Sequence, residues 1–132
     1  MKKQLLMLAM ASGFLMATQA NAMTRDEYKA AQDQIQADYK SAKAQCDTLQ
    51  SNAKDVCEKQ AKGKENVAKA ELEHTYKPSS SSARKVAEAK VKADYEVAKE
   101  KCDDLNGDTK NACQSEAKAA EARGKAEVRA MK

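Results

Sequence analysis

Hydrophobic and small side chains recur along both halves of the chain at steps of three and four residues. Such spacing is typical of one face of an α-helix. The ascending stripes are Tyr28, Ala31, Ile35, Tyr39, Ala42 and Cys46, and then Ala87, Val91, Tyr95, Ala98 and Cys102. The returning stripes are Cys57, Ala61, Ala68 and Leu72, and then Cys113, Ala117, Ala120, Gly124 and Val128. The pattern predicts an all-α fold of four helices, each roughly 30–36 Å long.

The two halves are copies of one unit. A shift of 56 positions places residues 29–73 on residues 85–129 with 18 of 45 residues identical, and each cysteine falls on a cysteine. Duplication at a fixed period identifies the structural unit. We therefore expect two helical hairpins in tandem, at residues 23–76 and 83–132.

Four cysteines allow three pairings, and if the two cysteines of one unit bond to each other, the chain must reverse between them. On one continuous helix they would lie ~16 Å apart, whereas a disulfide needs Cα atoms about 5.5 Å apart. The residues between them are turn formers, with Asn106-Gly107 the strongest signal. The repeat thus favours one bond in each hairpin, Cys46–Cys57 and Cys102–Cys113.

Polar residues mark the helix starts. Thr24 and Glu27 have the spacing of a capping box, and we expect Asn52 and Asp108 to be the N-caps of the returning helices.

Residues 77–82 are expected to link the hairpins flexibly, because Pro78 ends the second helix and serines follow. Two arrangements are compatible with this linker: a loose, Ala-rich four-helix bundle, or elongated linked hairpins. The scarcity of large aliphatic residues favours the loose or elongated form.

The segment 1–22 has the features of a cleavable signal peptide. Two lysines precede an apolar stretch of about 13 residues, which is shorter than the ~20 residues needed to span a bilayer, and Ala20-Asn21-Ala22 is a small-x-small cleavage signal. We predict cleavage after Ala22, a periplasmic location and no membrane span in the mature chain. Export favours disulfides over a zinc site, whose cysteines are usually closer in sequence.

Charge is balanced along the chain. Removing Lys2 and Lys3 with the signal peptide lowers the formal net charge from +4 to +2. A nucleic-acid-binding surface normally needs a clustered basic patch, so we expect no nucleic-acid partner.

Candidate catalytic chemistry is scarce. His74 is the one histidine, and we expect it to lie at a helix C-terminus or to face solvent. An acidic run that could suggest calcium places its glycine wrongly for an EF-hand loop: Asp103, Asp104, Asn106, Gly107 and Asp108. Neither a phosphate-binding glycine loop nor a nucleophile elbow occurs. We predict no enzyme, no catalytic residue, no metal and no cofactor.

Tyr39 and Tyr95 occupy matching positions seven residues before a cysteine. They either pack across their hairpin or form a pair of aromatic contacts for a protein partner.

The cysteine segments ADYKSAKAQCDTLQSNAKDVC and ADYEVAKEKCDDLNGDTKNAC resemble repeats in small exported proteobacterial proteins, some of them labelled TolA-like cell-envelope proteins. The resemblance implies a cell-envelope location and helical character. TolA itself keeps a membrane anchor and carries a globular C-terminal domain, so no TolA mechanism follows.

These observations predict a non-enzymatic structural or interaction protein of the cell envelope that contacts a protein partner through helical surfaces. The alternative is a periplasmic chaperone-like or stress-related binding protein, and a homo-oligomer is compatible with either function.

Overall fold

The computed structural model describes residues 22–132, and all regular structure within them is helical. The predicted signal peptide lies outside the described residues except for Ala22. A short 3-10 turn at Cys102–Asp104 follows the third helix. The helices are α1 (Arg25–Cys46), α2 (Ser51–Tyr76), α3 (Ser80–Lys101) and α4 (Gly107–Ala130). The predicted all-α fold is confirmed.

Each hairpin is closed by its own disulfide, as predicted. Cys46 bonds Cys57 with Cα atoms 5.5 Å apart, and Cys102 bonds Cys113 with Cα atoms 5.7 Å apart. Cys46 and Cys102 are fully buried. The bonds therefore join the end of each ascending helix to the first turns of the returning helix.

Side chains cap the first and third helices. Thr24 Oγ1 accepts a hydrogen bond from the Glu27 amide (3.2 Å), and the Glu27 carboxylate accepts one from the Thr24 amide (2.7 Å), which confirms the capping box. Ser79 forms the equivalent box with Ser82 at the start of α3. Residues 80–82 of the expected linker thus form the first turn of α3.

The expected N-caps of the returning helices are wrong. The N-cap residues are Gln50 and Asn106, neither of which makes a side-chain cap hydrogen bond. Helices α2 and α4 begin at the next residue, so Asn52 and Asp108 lie inside the first turn. Asn52 instead donates a hydrogen bond from its Nδ2 atom to the Glu100 carbonyl of the other hairpin (3.0 Å).

The four helices form a row in chain order. Helix α1 packs on α2, α2 on α3 and α3 on α4, and the contact between α2 and α3 is the most extensive. The two hairpins therefore pack side by side as a helical bundle, and the elongated arrangement is wrong. The bundle is open, since α1 and α4 lie at its opposite edges without packing on each other.

The close approach of α2 and α3 depends on small residues. A Cβ atom added to Gly63 would lie 2.9 Å from the Cβ of Ala93, which is nearer than non-bonded carbons pack. Small side chains thus replace a broad aliphatic stripe as the basis of this contact. This use of small residues is not apparent from the aliphatic content on which the elongated form was favoured.

The buried apolar side chains repeat from one hairpin to the other. They form three pairs at the 56-residue period: Cys46 and Cys102, Ala61 and Ala117, Leu72 and Val128. Each hairpin therefore carries the same three core positions, and the duplication in sequence is a duplication of the core.

Candidate interaction surface

Grooves lie between neighbouring helices on both broad faces of the row. Two of them flank the contact of α2 with α3, and both include Gly63 and Ala93 at the closest approach. We call them the front groove, which contains Lys64 and Asp94, and the rear groove, which contains Lys62 and Lys92.

The front groove is the larger of the two, with a volume of about 840 Å³. Its large apolar side chains are Val67 of α2 and Val97 of α3, both half-buried. Charged residues border it, among them an ion pair in which Lys90 Nζ lies 2.9 Å from Glu71 Oε1. The remaining charged lining residues are Lys64, Asp94 and Lys101. The groove thus combines a narrow apolar floor with a rim of both signs.

The rear groove is smaller and more polar, with a volume of about 490 Å³. Alanine and glycine form its apolar part, and its rim includes an ion pair between Lys59 and Glu96 (3.7 Å). It therefore offers less apolar surface than the front groove.

Tyr39 lies between α1 and α2 and is half-buried. The Lys62 ammonium of α2 sits 5.0 Å from the centre of its ring, a distance at which a cation is attracted to the ring face. The tyrosine therefore contacts the opposite arm of its own hairpin. Its role as a partner contact stays a prediction.

Tyr95 lies in the matching place between α3 and α4 and is also half-buried. It lines a groove of about 460 Å³ together with Val91 and Val128, and a second groove of about 380 Å³ on the other face. Tyr95 thus has open space on both sides of its hairpin. The structure does not bring the two tyrosines to one shared site.

A buried carboxylate was missed by the sequence analysis. The side chain of Glu65 is only 4% exposed, and its two oxygens accept hydrogen bonds from the ammonium groups of Lys62 and Lys69, each at 2.7 Å. These two hydrogen bonds, that from Lys62 first, lower the pKa of Glu65 below its ordinary value. The carboxylate is therefore held ionised within the helix contact.

The repeat contains a sequence signal for the ion pairs of Glu65. Glu65, Lys62 and Lys69 are identical in the second unit, where Glu121 pairs with Lys125. In a chain with 20 acidic residues, an identical acid on a helix face does not by itself indicate burial. Only the packing of α1 on α2 shows that Glu65 is enclosed.

His74 lies in the last turn of α2, which is one of its two expected positions, and it does not simply face solvent. It is half-buried, and its Nδ1 atom lies 2.7 Å from Ser82 Oγ. Ser82 is itself buried and also accepts a hydrogen bond from the Ser79 amide. His74 therefore joins the end of α2 to the capping box of α3 and helps to fix one hairpin against the other.

Within residues 22–132, no group of three or more metal-ligating side chains lies close enough together to hold a metal ion. No helix in that part of the chain is long and apolar enough to cross a membrane.

Comparison with models of protein families, with curated proteins and with solved structures finds no match.

Proposed function

We propose that this chain is a non-enzymatic, exported protein of the cell envelope that binds a protein partner in the periplasm through its front groove. Support for export comes from a disulfide in each hairpin, because such bonds persist in oxidising compartments. The signal-peptide features of residues 1–22 and the resemblance to exported envelope proteins point to the same location.

The uncovered front groove is the observation that carries this proposal. Only α2 and α3 line this groove of about 840 Å³, so no third helix of the described residues covers Val67 and Val97. A groove between two antiparallel helices suits a third helix, whose side chains can pack between its walls. We therefore expect a helical segment of the partner to lie there.

The composition of the groove favours a defined partner over many unfolded clients. A chaperone needs a broad apolar surface, whereas the large apolar residues in the front groove are two valines. Lysines and acids on the rim can select a partner of complementary charge. These features rank the chaperone-like alternative second.

Site-specific photo-crosslinking in cells tests the proposal. A photo-reactive residue at Ala68, which lines the front groove, is compared with one at Ala119, which is exposed on the outer side of α4. We expect one discrete crosslinked protein from Ala68 and none from Ala119. A ladder of many products from Ala68 would instead indicate the chaperone-like function, and no product from either position would contradict the proposal.

A charge reversal then connects the product to the groove. Lys64→Glu with Lys101→Glu alters the rim of the groove, and Lys29→Glu with Lys40→Glu makes the same change at exposed positions of α1 away from the grooves described above. We expect the first variant to lose the product at least tenfold and the control to retain it, with unchanged melting temperatures. Equal loss in both variants would show that the groove is not the contact.

A further inference from the structure

The repeat places a second copy of the central contact at the edges of the row. By the 56-residue shift, α4 is equivalent to α2, and α1 is equivalent to α3. Because α2 packs on α3, the outer side of α4 has the position to pack on the outer side of α1 in another copy of the chain. Such head-to-tail packing does not close on itself and would continue as a polymer.

Four residues characterise the central contact. Gly63 allows the helices to approach until an added Cβ would meet Ala93 at 2.9 Å, and Val67 and Val97 lie half-buried beside this point. A close helix approach and two neighbouring valines therefore occur together at the centre.

The equivalent residues at the edges differ in ways that oppose the same packing. Ala119 replaces Gly63, Arg123 replaces Val67 and Ser41 replaces Val97, while Ala37 matches Ala93. All four edge residues are exposed. The outer sides of α1 and α4 thus keep the register of the central contact but not its chemistry.

We propose that α4 and α1 carry a latent head-to-tail interface for a second copy of this chain, held closed by Ala119, Arg123 and Ser41. The methyl group of Ala119 occupies the space that the central contact leaves empty at Gly63. Arg123 brings a charge to the position of a half-buried valine, and removing that charge from water is costly. Ser41 removes the facing aliphatic group.

One ion pair could favour the docking but is too weak to reverse this balance. Asp94 lines the front groove with Val67, so its equivalent, Asp38, would face Arg123 of the other copy. Asp38 is exposed and already accepts a hydrogen bond from Gln34 (2.7 Å). Exposed ion pairs contribute little. The edges therefore act as the polar caps that end an array of repeats.

Two half-variants test the interface directly. One carries Ala119→Gly and Arg123→Val on α4, and the other carries Ser41→Val on α1, so each restores one side of the contact. Light scattering after size exclusion measures the mass of the wild-type chain, of each variant alone and of their equimolar mixture. Circular dichroism and mapping of the disulfides confirm that each variant is folded.

We expect the wild-type chain and each half-variant alone to have the mass of a single chain. At the same concentration, the equimolar mixture should have the mass of two chains. The mixture should stop at a dimer, because each partner still has one closed edge. A mixture of unchanged mass would overturn the proposal, and so would equal self-association of each half-variant alone, which would indicate unspecific adhesion. Wild-type association abolished by Arg123→Asp would also overturn it, since the interface would then be open already.

Discussion

The two hairpins have the same core positions, and each has its own disulfide, but they differ in sequence at both ends. At the open end of the first hairpin, Tyr28 stacks on Tyr76 with ring centres 4.4 Å apart. The equivalent of Tyr28 is Arg84, whose guanidinium donates to the Met131 carbonyl (2.9 Å) at the open end of the second hairpin. One hairpin is thus closed by aromatic stacking and the other by a hydrogen bond.

The turns differ in residue type but not in backbone shape. The first residue of α2, Ser51, has φ of 53°, and its equivalent in α4, Gly107, has φ of 56°. Glycine adopts this left-handed conformation readily, whereas another residue is strained in it. The comparison shows that both turns follow the same backbone path, and that the first hairpin accepts a strained serine to follow it.

Deleting one disulfide at a time should have the largest effect. Cys46→Ala with Cys57→Ala, and separately Cys102→Ala with Cys113→Ala, each open a loop of the same length. The chain-entropy model predicts a loss of about 3 kcal/mol in the free energy of unfolding for each pair. Urea unfolding measures both losses. Clearly unequal losses would show that the two disulfides do not stabilise their hairpins equally, although the core positions are the same.

Exchanging the residues at one repeat position tests the close approach of α2 and α3. Gly63→Ala should lower the free energy of unfolding by about 2 kcal/mol, because the methyl group meets Ala93 and forces the helices apart. At the exposed equivalent, Ala119→Gly should cost about 1 kcal/mol through helix propensity alone. Urea unfolding gives both values, and a stabilised Gly63→Ala variant would contradict the observed packing.

Neutralising the repeated glutamate compares a buried ion pair with a more exposed one. Glu65→Gln should lower the free energy of unfolding at neutral pH by about 1.5 kcal/mol, because it weakens two charged hydrogen bonds. Glu121→Gln should cost less than about 1 kcal/mol, since that carboxylate has one lysine partner and more solvent.

The contribution of Glu65 should also depend on pH. Its pKa is lower in the folded chain, so it stabilises the fold above the unfolded pKa of about 4.3. This stabilisation is lost as the pH falls from there through the folded pKa. Unfolding measured between neutral and acid pH should show a smaller acid loss in Glu65→Gln than in the wild-type chain; identical profiles would exclude this role.

Exchanging the turn residues should give the smallest effects, of opposite sign. Ser51→Gly relieves the strained backbone and should raise the free energy of unfolding by about 1 kcal/mol, whereas Gly107→Ser should lower it by a similar amount. Thermal unfolding of the two variants measures the difference. Equal shifts in the same direction would show that backbone strain does not distinguish the two turns.

Most of the secondary structure could be predicted because its causes are local. The stripes at three and four residues, the Thr24–Glu27 box and the two disulfide pairs all follow from residues near one another in sequence. The caps at Asn52 and Asp108 were wrong because the left-handed residues at 51 and 107 complete the reversal one residue earlier. Dihedral angles of this kind are set by the closed loop, not by the cap residue alone.

The candidate surface was less accessible to prediction. For the tyrosines the sequence left open packing across the hairpin or contact with a partner, and neither the front groove nor the burial of Glu65 could be predicted. Both depend on how the helices are rotated and on which pairs touch. His74 shows the same limit, because its contact with Ser82 arises only when two hairpins meet.

The sequence by itself determined the repeated unit, its helices and the disulfide of each hairpin, because periodicity and chain reversal act over a few residues or within one loop. The tertiary structure decided that α2 packs on α3 through Gly63 and Ala93, and that α1 and α4 remain apart. That choice depends on the fit of small side chains across an interface, where a single methyl group decides how closely two helices approach.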